Sequence, residues 1–129
     1  GRILNVASTA AFMPGPLMAV YYASKAFVLS FTEAVAEEVK GSGVSLTALC
    51  PGPTASGFQT RAGMEASSLV KGKRLMDAAT VVRAGYKAML KGKSLVVPGL
   101  TNKVQATSPR FMPRSMVPGI VKAAQKPVE

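Results

Sequence analysis

Three short apolar segments lie within the first hundred residues, and each one ends at residues that stop a strand. Residues 2–7 are followed by Ser8 and Thr9, residues 44–50 by Pro51, Gly52 and Pro53, and residues 94–97 by Pro98 and Gly99. Short apolar runs of this kind, bounded by turn residues, predict β-strands. The first run is typical of a strand buried on both faces.

Two segments with helical periodicity separate the three strands. Between residues 17 and 40, apolar or small side chains recur every three or four residues until a Gly-Ser-Gly stop. The predicted inward face of this long helix consists of Tyr21, Ser24, Phe27, Val28, Phe31, Val35 and Val39. Asp77 can cap a second helix that runs to about Leu90. Its predicted inward residues are Val81, Ala84, Ala88 and Met89.

The resulting order, βαβαβ, predicts an α/β fold. Short connections between strands and helices imply parallel strands, and this order is half of a doubly wound sheet. Residues 54–76 are polar, basic and aperiodic, which predicts a loop with a short helix. Beyond residue 99, weakly amphipathic helical segments are interrupted by Pro109, Pro113 and Pro118.

The composition excludes several kinds of chemistry. The chain has no histidine and one cysteine, Cys50, so a disulfide framework, a Cys/His zinc site and a His-based catalytic triad are excluded, and no metal site is expected. The lone cysteine also fits a reducing, cytoplasmic location, and no apolar run is long enough to span a membrane.

The net charge of +10 lies entirely in the second half of the chain. Residues 1–60 carry three basic and three acidic side chains, whereas residues 61–129 carry thirteen basic and three acidic ones. A module binding nucleic acid or an anionic membrane is one reading of this excess. The charges are scattered, and Tyr86 and Phe111 are too few aromatic residues for base stacking. A solvated basic surface is therefore the favoured interpretation, and no nucleic-acid partner is expected.

Tyr21 and Lys25 are the residues of the first helix best suited to chemistry. They are four residues apart and so lie on one helical face. Ser8 precedes Tyr21 by thirteen residues, at the carboxyl end of a predicted strand, where open α/β sheets bind ligands. Pro51 and Gly52 end the neighbouring strand at the same edge. The sequence therefore predicts a site at this edge of the sheet.

These segments together resemble the short-chain dehydrogenase/reductase family. The resemblance rests on Asn-Val-Ala-Ser at residues 5–8, Tyr-Tyr-Ala-Ser-Lys at 21–25 and Cys-Pro-Gly-Pro-Thr-Ala-Ser at 50–56. It covers essentially the whole chain but implies only the C-terminal half of the family's Rossmann-type domain. Residues 1–99 would be the catalytic half and residues 100–129 an extension packed on it.

The resemblance implies a role for each motif residue. Ser8, Tyr21 and Lys25 correspond to the family's catalytic triad, and Tyr22 is not the acid because Ala26, not lysine, lies four residues on. Cofactor-binding residues would be Tyr21 and Lys25, together with a loop that borders the nicotinamide: Pro51, Gly52, Thr54 and Ser56. The expected cofactor is NAD or NADP. Tyr21 would exchange a proton with a carbonyl or alcohol, with Lys25 favouring its phenolate and Ser8 fixing the substrate oxygen.

In the family, the nucleotide-binding half of the domain begins with a glycine-rich turn that holds the cofactor's pyrophosphate. This sequence contains no such turn, and we expect that half to precede Gly1. Without it, the first strand would be an exposed edge and the first helix would lack a neighbour. We therefore expect the chain to form a homo-oligomer, to be completed by another chain, or to fold poorly. A catalytically silent fragment is the alternative to an oxidoreductase.

The expected substrate is a small-molecule carbonyl compound or alcohol, and the apolar residues of the substrate side favour a bulky apolar one. Met13, Pro14, Leu17, Met18 and residues 55–75 would line the substrate side, although each is equally consistent with packing. Apolar residues alternate with basic ones between Lys103 and Lys126. That segment is interpreted as a lid over an apolar substrate or as a peripheral membrane contact.

Overall fold

The computed structural model describes residues 1–55 and 75–125 of the 129-residue chain. The strands are β1 (Arg2–Val6), β2 (Ser45–Leu49), β3 (Thr54–Ala55), β4 (Met76–Asp77) and β5 (Leu95–Val96). The helices are α1 (Ala19–Glu38), α2 (Ala78–Leu90), α3 (Leu100–Thr107) and α4 (Val117–Gln125). Short 3-10 helices occupy Thr9–Phe12, Ser108–Phe111 and Arg114–Met116.

A parallel sheet with the order β1-β2-β5 forms the centre of the described structure. Val6 lies opposite Leu49, and Ala48 lies opposite Leu95. Helix α1 connects β1 to β2, and α2 precedes β5. The predicted α/β class and βαβαβ order are confirmed. A separate pair of two-residue parallel strands, β3 and β4, was not predicted.

The two long helices cover opposite faces of the sheet. Leu29 of α1 packs in one cluster with Ala48 of β2, whereas Gly85 of α2 lies against Leu49. Successive strand residues point to opposite faces, so the two helices sandwich β2. A Cβ at Gly85 would lie 2.8 Å from Leu49 Cδ2, and glycine therefore allows α2 to approach the sheet closely.

Strand β1 is not buried on both faces, contrary to the sequence-based expectation. In the described residues β1 pairs with β2 on one side only, and Ile3 and Val6 are exposed. An edge strand shares its apolar composition with a central strand, because composition does not reveal how many neighbours a strand has. The predicted exposed apolar edge is confirmed in this part of the chain.

The buried face of α1 also differs from the predicted one. Tyr22, Leu29 and Thr32 are its buried residues, whereas Phe27 and Phe31 are exposed and stack with ring centroids 5.9 Å apart. Thr32 Oγ1 donates to the Val28 carbonyl at 2.7 Å and accepts from Asn5 Nδ2 at 3.0 Å. Helix α1 carries apolar residues on more than one face, so the periodicity alone did not identify the face that meets the sheet.

Helix α2 begins as predicted, with Asp77 as its N-cap. Its buried residues are Val81, Gly85 and Ala88. In the C-terminal segment, Pro118 is the second residue of α4 rather than a break between helices. Proline is tolerated there because its missing N–H would have no partner in the first turn.

Candidate functional site

Ser8 lies where β1 leaves the sheet, beside the end of β2. The Ala7 amide donates to the Leu49 carbonyl at 2.7 Å, and the Thr9 amide donates to the Pro51 carbonyl at 3.0 Å. These bonds extend the pairing of the two strands past their ends. Ser8 is buried, and its Oγ accepts from the Ala10 amide at 3.1 Å to cap the first 3-10 helix.

Lys25 connects helix α1 to the same sheet edge. Its Nζ donates to the Val6 carbonyl at 3.2 Å and lies over the Tyr21 ring, 5.8 Å from the ring centroid. That distance is within the range of a cation–π contact. The four-residue spacing predicted from the sequence thus places an ammonium group beside the Tyr21 ring.

Tyr22 lies next to Tyr21 in sequence, and the sequence motifs assign it no functional role. Its ring meets that of Tyr21 edge to face, with centroids 5.9 Å apart and planes at 82°. Tyr22 Oη accepts from Gln125 Nε2 at 2.6 Å in a buried bond. Burial, followed by the nearby Tyr21, raises the pKa of Tyr22, so this phenol is a neutral packing element.

The loop after β2 also lines the site. Thr54 Oγ1 donates to the Gly52 carbonyl at 2.9 Å. A Cβ at Gly52 would lie 2.2 Å from Asn102 Oδ1, and Asn102 Nδ2 donates to the Pro98 carbonyl at 2.9 Å. Asn102, in the first turns of α3, therefore supports the loop, and no sequence signal pointed to it. Ser56 lies outside the described residues.

A cavity of about 450 Å³ brings the predicted residues together. It is lined by all six described candidates: Ser8, Tyr21, Lys25, Pro51, Gly52 and Thr54. Met13 and Met18 line it as predicted, whereas Pro14 lines a neighbouring cavity and Leu17 is exposed.

The C-terminal segment forms much of the remaining wall of this cavity. Met112, Val117, Ile120 and Val121 face it, together with Gln105. Val117 and Val121 also form a buried cluster with Ala10 and Tyr22. The hydroxyl and ammonium groups of the candidate residues therefore share a mainly apolar enclosure.

Cys50 is close to the site, but its thiol stays protonated near neutral pH and is therefore a poor nucleophile. Burial raises the pKa of Cys50 to about 11, with smaller opposing effects from the Ser8 amide and Lys25. The described residues contain no group of three or more His, Cys, Asp or Glu side chains that could hold a metal ion. Within the same residues, no helix has the length and apolar character needed to cross a membrane.

Comparisons with known proteins point to one family. The family model described as short chain dehydrogenase matches residues 1–66. Ketoacyl reductase HetN of Nostoc sp. is 34% identical over 92 residues, which cover 69% of this chain and 30% of that protein. Very-long-chain 3-oxoacyl-CoA reductase of Mus musculus is 28% identical over 126 residues, which cover 95% of this chain and 38% of that protein.

Solved structures show the same fold. A short-chain dehydrogenase from Sphingobium yanoikuyae in complex with NADPH superposes with a TM-score of 0.68 at 25% identity, covering 86% of this chain and 42% of that one. A 7beta-hydroxysteroid dehydrogenase superposes with a TM-score of 0.74 at 24% identity, covering 94% of this chain and 46% of that one. The chain spans less than half the length of each of these relatives.

Proposed function

Because this chain belongs to the short-chain dehydrogenase family, we propose that it provides the catalytic part of an NAD(P)-dependent oxidoreductase that interconverts a carbonyl and an alcohol. The observation that carries the proposal is the convergence of Ser8, Tyr21 and Lys25 on one cavity. These residues come from the end of a strand and from one face of a helix, and their hydroxyl and ammonium groups suit proton transfer beside an apolar pocket.

The donor set of the cavity fits the nicotinamide end of such a cofactor. The Lys25 ammonium has three N–H donors, one of which bonds the Val6 carbonyl, so further donors suit ribose hydroxyls. Pro51, Gly52 and Thr54 also line the cavity, and Ser56 would extend this part of the wall. When bound, the nicotinamide supplies or accepts the hydride. The short-chain dehydrogenase from Sphingobium yanoikuyae was solved in complex with NADPH, which supports this cofactor class.

Tyr21 is the group we assign to proton transfer. In reduction its hydroxyl would give a proton to the developing alkoxide, and in oxidation it would take the alcohol proton. The ammonium of Lys25, 5.8 Å from the Tyr21 ring centroid, would stabilise the negative charge that remains on the phenol after the proton leaves. The Val6 carbonyl holds Lys25 in that position.

Ser8 is the group we assign to orienting the substrate oxygen. Its Oγ already accepts from the Ala10 amide, so its hydroxyl hydrogen is available for a hydrogen bond to a substrate oxygen. Because the residue caps a 3-10 helix and is buried, its position is fixed before substrate arrives.

The cavity wall supports an apolar substrate. Met13, Met18, Met112 and Val121 contribute much of its lining, and flexible methionines adapt to apolar groups of varied shape. The lid interpretation of the C-terminal segment is favoured over membrane contact, because Met112, Val117, Ile120 and Val121 line the cavity. Phe111 and Met116 do not line it and are exposed. The boundary between the catalytic half, residues 1–99, and the C-terminal extension, residues 100–129, is part of this proposal.

Turnover measurements on Tyr21 and Lys25 variants test the assignment. In the protein that carries this chain, Tyr21→Phe is expected to lower kcat for ketone reduction with NADH or NADPH by about 100-fold or more, because the proton donor is lost. Lys25→Ala is expected to lower kcat and to weaken cofactor binding. The matched controls are Tyr86→Phe and Lys40→Ala, which alter exposed residues outside the cavity.

Two outcomes would contradict the proposal. Turnover unchanged in both Tyr21→Phe and Lys25→Ala would remove the assigned roles. A protein that neither turns over ketones nor binds NAD(P)H in calorimetric titration would support the silent-fragment alternative. Co-sedimentation with anionic vesicles at low and high salt tests the membrane alternative separately.

A further inference from the structure

Tyr22 stands between the candidate site and a second cavity. The second cavity, of about 790 Å³, is lined mainly by the loop at residues 11–16, by α1 and by the segment from Ala106 to Val117. Four residues line both cavities: Met13, Tyr22, Pro109 and Val117. Tyr22 has the largest side chain of the four.

The Tyr22 ring is fixed from three directions. A Cβ at Gly15 would lie 2.1 Å from Tyr22 Cδ1, so the loop backbone presses directly against the ring. Tyr21 meets the ring edge to face, and Gln125 Nε2 donates to the hydroxyl at 2.6 Å. A buried hydroxyl that is hydrogen-bonded and an aromatic ring that is packed on several sides rarely change rotamer.

We propose that Tyr22, held in place by Gln125, is a specificity-determining residue that closes the candidate site against the second cavity and so limits the length of the apolar substrate. This inference rests on the proposed function in one respect: the ligand is called a substrate only if the protein is an oxidoreductase. The separation of two cavities by the Tyr22 ring, the second of them lined by apolar residues together with Arg110 and Arg114, is independent of turnover.

Gln125 acts in this arrangement as a positioning residue. It is buried at the end of α4, and its amide joins that helix to α1 across 103 positions of sequence. Loss of the amide donor would leave the buried Tyr22 hydroxyl without this partner. The ring would then be held by packing alone, and α4 would be less firmly docked.

Ligand binding to Tyr22 variants tests the partition without requiring catalysis. Acetophenone serves as the short probe and octanophenone as the long one, and methyl-labelled alanine and methionine report where each binds. In the unmodified chain, octanophenone is expected to shift Met18 and Met112, which line the first cavity and not the second. In Tyr22→Ala it is expected also to shift Ala19, Ala23 and Ala26, which line the second cavity alone.

The affinity ratio gives a second readout. Tyr22→Ala is expected to raise the preference for octanophenone over acetophenone by about tenfold, since added methylenes gain an apolar space. Tyr22→Phe should have the same affinity ratio as the unmodified chain. The ratio for Gln125→Leu should lie between those of the unmodified chain and Tyr22→Ala. Tyr86 is exposed and lies outside both cavities, so Tyr86→Ala should match the unmodified chain. Tyr22→Leu provides a milder truncation if Tyr22→Ala does not fold.

The outcomes separate this inference from the proposed function. An unchanged ratio and unshifted Ala19, Ala23 and Ala26 in folded Tyr22→Ala or Tyr22→Leu would overturn the partition, as would a failure of octanophenone to bind these variants. The expected shifts together with absent turnover would uphold the partition and count against the oxidoreductase. Where turnover is present, Tyr22→Ala should lower KM for octanophenone relative to acetophenone more than it changes kcat.

Discussion

Lys25 shows at the scale of one residue how the fold prepares the site. Its stem extends from α1 to the end of β1, where the Val6 carbonyl accepts its hydrogen bond. A strand end leaves carbonyls without a partner in the sheet, and these are satisfied by side chains or by water. The same bond therefore satisfies the strand and holds the ammonium beside Tyr21.

Cys50 supplies a pH prediction at the residue scale. Burial raises its pKa from 9.0 to about 11 in the folded chain. Between these values the unfolded chain has lost the thiol proton while the folded chain retains it, so folding stability falls as pH rises from about 9 to about 11. The loss attributable to this thiol is at most about 3 kcal/mol.

Urea unfolding at pH 8, 9, 10 and 11 measures this contribution when Cys50→Ala is compared with the unmodified chain. Lysines and tyrosines titrate in the same range, but their effect is common to both proteins and cancels in the difference. As pH rises, the unfolding free energy of the unmodified chain should decrease relative to that of Cys50→Ala. A difference that is constant over this range would show that the thiol is not protected by the fold.

At the scale of elements, α1 and α4 form the cavity together with the segments that follow β1 and β2. Helix α1 carries Tyr21 and Lys25 on the cavity side, and α4 packs on Tyr22 through Val117 and Val121. The sequence periodicity predicted the existence of α1 and α2 because apolar or small residues recur at helical spacing in both. It did not predict which residues of α4 dock, since that depends on a buried contact between residues distant in sequence.

The N-cap of α2 gives a prediction at this scale. Asp77 accepts from the Thr80 amide at 2.9 Å and from the Thr80 hydroxyl at 2.6 Å, and these bonds lower the pKa of its carboxyl. Asp77→Ala is expected to lower the melting temperature, because two donors at the start of the helix lose their acceptor. Asp77→Asn should retain most of the stability.

Thermal unfolding followed by circular dichroism checks this prediction at pH 7 and at pH 3. Because the pKa of Asp77 is lowered in the folded chain, its carboxylate stabilises that chain at neutral pH. This stabilisation is lost as pH falls through the pKa of Asp77 in the folded chain. The unmodified chain and Asp77→Asn should therefore converge at low pH. Equal melting temperatures for all three proteins at pH 7 would contradict the role of the cap.

At the scale of the whole molecule, two apolar surfaces of the described structure lack cover. Phe27 is 69% exposed and Phe31 is 50% exposed on α1, and the edge strand β1 presents Ile3 and Val6. Monomeric proteins rarely leave an apolar helix face and a free strand edge side by side. These surfaces support the expectation of self-association or completion by another chain.

Light scattering coupled to size-exclusion chromatography tests that expectation on this chain. We expect a mass that rises with protein concentration, and more strongly at high salt, because screening reduces repulsion between chains of charge +10. Phe27→Gln with Phe31→Gln should reduce the association. Val82→Gln, which alters an exposed apolar residue of α2, is the matched control. A concentration-independent monomer that unfolds cooperatively would contradict this prediction.

The sequence by itself determined the α/β class, the order of strands and helices, and the candidate residues Ser8, Tyr21 and Lys25. These depend on local patterns: apolar runs, helical spacing, turn residues and short motifs. The tertiary structure decided which face of α1 is buried and that Gln125 reaches Tyr22. Each of these depends on contacts between distant residues, and an apolar side chain has the same sequence signature whether it faces a core, a cavity or a surface that lacks cover.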